Sequence, residues 1–132
     1  MSASFIVQAD GGSRGNPGPA AYGTVVSDAA SGKVLAELGE FFEHATNNFA
    51  EYRGAIAGLE YVHALDPQAN IELRLDSKLV VEQMSGNWKI KNDDIRKLAL
   101  RARDAHDPTL VTYTWVPREQ NARADGIVNE VL

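Results

Sequence analysis

The chain has 132 residues, 44% of them hydrophobic and 23% charged, with a formal net charge of −5. That balance describes one folded domain, spanning 1–132, able to bury a core without staples. With no cysteine, disulfides, cysteine zinc sites and a thiolate nucleophile are excluded, and His44, His63 and His106 form no HExxH pair. No apolar run approaches the ~20 residues of a membrane span, and Met1-Ser2-Ala3-Ser4-Phe5 lacks the basic start and long apolar stretch of a signal peptide. The expectation is a cytoplasmic protein.

Taken in chain order, Ser4–Ala9 is a short apolar run ending at Asp10 and reads as a buried strand. Gly11–Pro19 holds four glycines and two prolines in nine residues and reads as a loop. Ala20–Ser27 and Lys33–Phe42 read as strands joined by a turn at Asp28–Gly32. Thr46–Leu65 has helical period, with Asn47 or Asn48 near its start and Asp66-Pro67 closing it. Asn70–Leu75 alternates, placing Ile71, Leu73 and Leu75 on one face. Ser77 is placed to cap a helix over Lys78–Met84, which breaks at Ser85-Gly86-Asn87. A further helix fits Asp93–Asp104, a strand fits Leu110–Val116, and Asn121 is placed to cap a last helix over Ala122–Val131. The order βββαβααβα predicts one α/β domain with a five-stranded mixed sheet: strands one to three antiparallel, and the fourth beside the first through a right-handed crossover.

Charge is unevenly spread. Residues 78–103 carry seven Lys/Arg against three acids, while the remainder carries six against fifteen. The basic stretch reads either as a solvated helical face or as a ridge beside an acidic site. Four acids end elements: Asp10 and Asp76 follow strands, while Glu51 and Asp125 lie near helix starts. Singly, each suits a turn, a cap or a helix N-terminus. If the first and fourth strands are parallel neighbours, Asp10 and Asp76 emerge at one sheet edge, where open α/β sheets place their sites. On the long helix, Glu51, Ala55, Gly58 and Val62 share one face, whose small residues allow close approach to the sheet. Four carboxylates brought together repel unless divalent metal compensates, and all-oxygen donors select Mg²⁺ or Mn²⁺ over zinc. Two such ions ~3.5–4 Å apart suit in-line displacement at phosphorus.

DGGSRGNPGPAAYG after the first strand, TNNFAEYRGAIAGLE on the long helix, LDSKLVVEQMSGNW after the fourth strand and WVPREQNARADGIVNE at the end together resemble type 1 ribonuclease H, from about Phe5 to Val131. The resemblance implies the ribonuclease H-like fold and hydrolysis of the RNA strand of an RNA–DNA hybrid, giving 5′-phosphate and 3′-hydroxyl ends. It implies a metal site of Asp10, Glu51, Asp76 and Asp125 for two Mg²⁺ ions, Mn²⁺ substituting, with Asp10 shared by both. It also implies RNA-strand contacts from Gly11, Gly12, Ser13 and Asn16, whose loop equally suits a tight turn. Thr46 and Asn47 correspond to backbone-contacting residues and equally suit helix capping. Lys78 stands where many relatives have Gln, and suits a phosphate or sugar. Trp88 falls beside the family's DNA-strand channel and equally suits the core.

Two departures from the family pattern follow. The long basic insertion that some relatives carry after the Asp76 region is absent, which leaves grip to the ridge at 78–103. The loop before Asp125 has no His, and Arg118 is its candidate substitute, able to orient or neutralise phosphate but not to act as a base. Three alternatives stand beside this reading: an integrase-like DNA-processing relative, a binding module of the same fold without catalysis, and a small-phosphate binder. The last lacks the Gly-Lys-Ser/Thr ending of a P-loop. The expected partner is the hybrid duplex, with no membrane, for a monomer whose end at Val131-Leu132 suggests fusion to a C-terminal domain in a longer chain.

Overall fold

The structure is a computed structural model describing residues 3–132; Met1 and Ser2, part of the segment read above for a leader, lie outside it. Ten to twelve residues of extended chain form each of β1 (Ser4–Ser13), β2 (Gly18–Asp28) and β3 (Val34–Ala45). Helix α1 (Asn47–Leu65) then crosses to β4 (Asn70–Leu75), followed by α2 (Lys78–Met84), α3 (Asp93–Ala105), β5 (Val111–Trp115) and α4 (Ala122–Val131). The sheet order is β3-β2-β1-β4-β5, antiparallel across the first three strands and parallel from β1 through β4 to β5. The expected mixed five-stranded sheet is therefore present.

Alternation sorts the residues onto two faces. Phe5, Val7 and Ala9 of β1 and Ile71, Leu73 and Leu75 of β4 are buried beneath Tyr52, Ala55, Ile56, Leu59 and Val62 of α1. On the opposite face Val25 packs with Ala124 and Ile127 of α4. Small residues set the spacing. A Cβ on Gly58 would sit 2.3 Å from Val7 Cγ1, and one on Gly54 would press on Tyr22 and Thr24, so α1 lies close on β1 and β2. Thr24, fully buried, repays that contact by donating to the Gly54 carbonyl at 2.7 Å.

Two expectations change at element ends. The glycine-rich segment 11–19 is mostly strand: pairing continues from Asp10↔Gly23 to Ser13↔Ala20, and only Arg14–Pro17 turns. The ladder runs on because Gly11 and Gly12 carry no Cβ to collide with the helices above and below. In addition, Asp107 caps a 3-10 turn at Pro108–Leu110, which delays β5 to Val111.

Candidate active site

Ala9 and Leu75 are the last register partners of the parallel β1–β4 pair, so Asp10 and Asp76 stand side by side where that pairing ends: Asp76 follows the last residue of β4, whereas Asp10, expected to end its strand, lies inside β1, which runs on against β2 to Ser13. Glu51 is brought beside them by Gly11. A Cβ there would stand 2.4 Å from the Glu51 backbone N, so only glycine lets β1 pass directly under α1 at Ala50 and Glu51. Asp125 arrives from the other face. Gly23 and Gly39 are register partners on β2 and β3, and a Cβ on Gly23 would stand 2.2 Å from the Ala124 carbonyl. The two glycines form a trough in which α4 lies against the sheet, its first turn beside Asp10, the register partner of Gly23.

Asp10 is central. Only 7% exposed, it lies within hydrogen-bonding reach of both Asp125 and Asp76, and burial followed by the charges of these neighbours pushes its pKa up to about 7. Burial first, then Asp10 and Asp76, raises Glu51 to about 8, against a hydrogen bond from Ser77. Asp76 is also raised, chiefly by burial, while Asn121 and Arg118 pull it back. Arg118 Nη2 stands 4.0 Å from Asp125 Oδ1 with its side chain largely exposed. The carboxylates thus outnumber the positive charge beside them, and their all-oxygen donor set fits a hard divalent cation. Among the described residues no three His, Asp or Glu side chains are already drawn into a cage for one ion.

Three residues without an assigned site role hold this cluster. Ser77 caps α2, accepting from Val80 N at 3.3 Å, and its hydroxyl beside Glu51 tempers the rise of that acid's pKa. Trp115 Nε1 donates to the Asp76 carbonyl at 3.1 Å, fixing the strand end that carries the acid. Asn121 stands at the N-cap position of α4, as the sequence predicts, but its side chain makes no cap bond. It turns into the core instead, where Nδ2 donates to the Ala9 carbonyl at 2.8 Å and Oδ1 has no partner among the described residues. A buried amide tying α4's approach to the residue before Asp10 positions Asp125 in a way that a cap pattern does not announce.

The remaining predicted contacts divide. Asn16, at φ 27°, accepts from Asn47 N at 2.9 Å, and Thr46 caps α1 by accepting from Phe49 N at 3.1 Å, so the turn and the helix start form one surface. Ser13 Oγ is committed to the Ala45 carbonyl at 2.9 Å. Gly12 faces Val128 of α4. Lys78 is exposed at the start of α2. Trp88 is 46% exposed, which removes the core alternative; with Lys89, Arg96, Arg103 and Tyr113 it lines a groove of about 420 Å³ between α2 and α3. Within the basic stretch, Arg96 pairs with Asp93 and Arg101 with Glu60, whereas Lys89 and Lys91 are exposed and make no salt bridge among the described residues.

The sheet order, the helices on both faces and the acids where the β1–β4 pairing ends define a protein of the ribonuclease H-like fold class. Residues 8–131 match the family described as Reverse transcriptase-like. "Bifunctional protein Rv2228c" of Mycobacterium tuberculosis is 50% identical over 96% of this chain, which covers 35% of that relative. Ribonuclease H1 of the halophilic archaeon Halobacterium salinarum superposes with a TM-score of 0.85 at 41% identity, covering 99% of this chain and 97% of that one. LC11-RNase H1, solved in complex with an RNA/DNA hybrid, superposes with a TM-score of 0.86 at 36% identity, covering 96% and 94%. The chain belongs to the type 1 ribonuclease H family. It spans about a third of the length of the curated mycobacterial relatives it matches.

Proposed function

We propose that this chain hydrolyses the RNA strand of RNA–DNA hybrids, with Asp10, Glu51, Asp76 and Asp125 holding two Mg²⁺ ions, Mn²⁺ substituting. The observation that carries this reading is Asp10, buried between Asp76 and Asp125 with its pKa pushed up to about 7. When bound, the ions supply Lewis-acid activation of water and stabilisation of the leaving 3′ oxygen. Water adds at phosphorus and the bond to the 3′ oxygen breaks, leaving 5′-phosphate and 3′-hydroxyl ends.

The protein groups bind and orient. Gly11 and Gly12, with Asn16 at the turn, present backbone and one amide to the minor groove, where the 2′-hydroxyl separates RNA from DNA. Thr46 and Asn47 extend that surface along the backbone, and Lys78 adds a phosphate or sugar contact. Trp88, Lys89 and Lys91 offer an aromatic face and two free charges to the DNA strand. Arg118 is exposed beside Asp125 and steadies the scissile phosphate or the departing product; it cannot serve as the base. A longer chain carrying a second, C-terminal domain is in keeping with the relatives' length and with the name of the bifunctional one.

The test is cleavage of a labelled RNA–DNA hybrid in Mg²⁺, in Mn²⁺ and in EDTA, with end-group analysis of the fragments. Cleavage in both metals and none in EDTA is expected, with 5′-phosphate on the RNA products. Tight hybrid binding with no cleavage in any metal would leave a binding module, and cutting of DNA–DNA would favour the integrase-like reading.

A further inference from the structure

A second cluster of ligating groups lies where two helices end. His63 sits in the last turn of α1 and His106 at the C-cap of α3. Twelve residues separate His63 from Glu51 on α1, about 18 Å at 1.5 Å per residue. The two Nδ1 atoms are 3.0 Å apart, with the rings at 87° and centroids 5.2 Å apart. His106 is 3% exposed and its Nε2 lies 2.7 Å from the Ala69 carbonyl oxygen. A carbonyl only accepts, so Nε2 carries the hydrogen and Nδ1 of the neutral ring is a bare lone pair. His63, by contrast, is exposed.

We propose that His63 and His106 form a two-imidazole site for a transition-metal ion of the Zn²⁺, Ni²⁺ or Cu²⁺ class, tying the C-terminal ends of α1 and α3 together. At metal–nitrogen distances of about 2.0–2.1 Å, two ligand nitrogens in square-planar or tetrahedral geometry are roughly 2.9–3.4 Å apart. The Nδ1 separation of 3.0 Å already falls in that range. Without metal, His63 Nδ1–H donates to His106 Nδ1. Binding needs His63 to carry its hydrogen on Nε2 instead and to swing its ring until the two lone pairs converge. A neutral pair then takes up the ion with no net proton release; a protonated His63 releases one proton.

His106 does not have to move. Its Nε2–H···O=C bond is the kind of contact that fixes tautomer and ring orientation in imidazole sites. Both helices direct their negative ends at the pair, which favours a cation. The acids adjoining it are engaged elsewhere: Asp66 accepts from Gln68 N at 2.9 Å, and Asp107 from Thr109 N and Oγ1 at 2.9 and 2.7 Å. No third ligand completes a cage among the described residues, so water fills the remaining positions and the ion exchanges.

The experiment is a Zn²⁺ titration in excess Mg²⁺, which keeps the carboxylate site supplied, read by imidazole NMR and thermal melting. The His63 and His106 resonances should shift together and saturate at one ion per chain, with His44 unmoved and Tm raised by a few degrees. His63→Gln, at an exposed position, should fold normally, weaken Zn²⁺ binding at least tenfold and leave hybrid cleavage in Mg²⁺ unchanged. Unshifted His63 and His106 resonances at tenfold excess Zn²⁺, or equal affinity in His63→Gln, would overturn the proposal. Neither result bears on the carboxylate site.

Discussion

Removing the charge of Asp10 should stabilise the metal-free protein while abolishing its activity. In the unfolded chain Asp10 titrates near 3.8; in the fold it titrates near 7, because burial and the neighbouring Asp76 and Asp125 disfavour its charged form. Folding therefore takes up a proton between those values, and stability is lost as pH rises through that window and stays lost above it. About three pH units at about 1.4 kcal/mol each set a ceiling of about 4 kcal/mol on the penalty. Asp10→Asn removes the charge and keeps an acceptor for the Gly11 N–H that bonds the carboxyl. If a third to a half of the ceiling survives relaxation, the gain is about 1–2 kcal/mol, or roughly 3–10 °C in Tm for a chain of this size. The assay is thermal melting in EDTA at pH 8.5 and pH 5. The variant should melt higher at pH 8.5, and its advantage should shrink by more than half at pH 5. Saturating Mg²⁺ should reverse the order by stabilising the wild type more. A variant equally or less stable at pH 8.5, or an advantage indifferent to pH, would refute the reasoning.

Further outcomes can be measured on purified variants. Lys89→Ala and Lys91→Ala should each raise KM for the hybrid at moderate salt with kcat little changed, and each should lower the salt slope of binding by about one, since both lysines are exposed and unpaired. Arg118→Ala should lower kcat about tenfold, on the scale of one charge-assisted contact, and more than it raises KM; Arg118→Lys should recover part of the loss. Gly11→Ala should cost about 1–3 kcal/mol in urea melts, because its Cβ would fall 2.4 Å from Glu51 N, and should cut activity by displacing Glu51.

Much of this architecture is legible in the sequence because periodicity and punctuation agree. The alternation of Asn70–Leu75, the helical period up to Asp66-Pro67 and the Asp28–Gly32 turn correspond to β4, α1 and the β2–β3 connection. The acids are identifiable because Asp10 and Asp76 each follow an apolar run and Glu51 and Asp125 lie near helix starts, and parallel pairing of β1 with β4 turns that coincidence into proximity, although β1 itself runs past Asp10 to Ser13. What stayed hidden depends on partners remote in sequence. Gly11 and Gly12 read as loop residues because composition registers their flexibility, whereas their use is the absence of a Cβ beneath α1 and α4. Asn121 precedes a helix and so reads as its cap, yet its bond to the Ala9 carbonyl, 112 positions away, turns it inward. Trp115 gave no local signal, since an exposed aromatic at a strand end acquires a role only through the Asp76 carbonyl beside it.

The most direct test of the carboxylate site is single-turnover cleavage of an RNA–DNA hybrid in Mg²⁺ by the wild type, Asp10→Asn, Glu51→Gln, Asp76→Asn and Asp125→Asn, each checked for native fold. All four should lose rate, Asp10→Asn the most, by on the order of a thousandfold or more, as expected if several kcal/mol of metal-assisted stabilisation are withdrawn. Near-wild-type cleavage by folded Asp10→Asn or Asp76→Asn would contradict the carboxylate metal site.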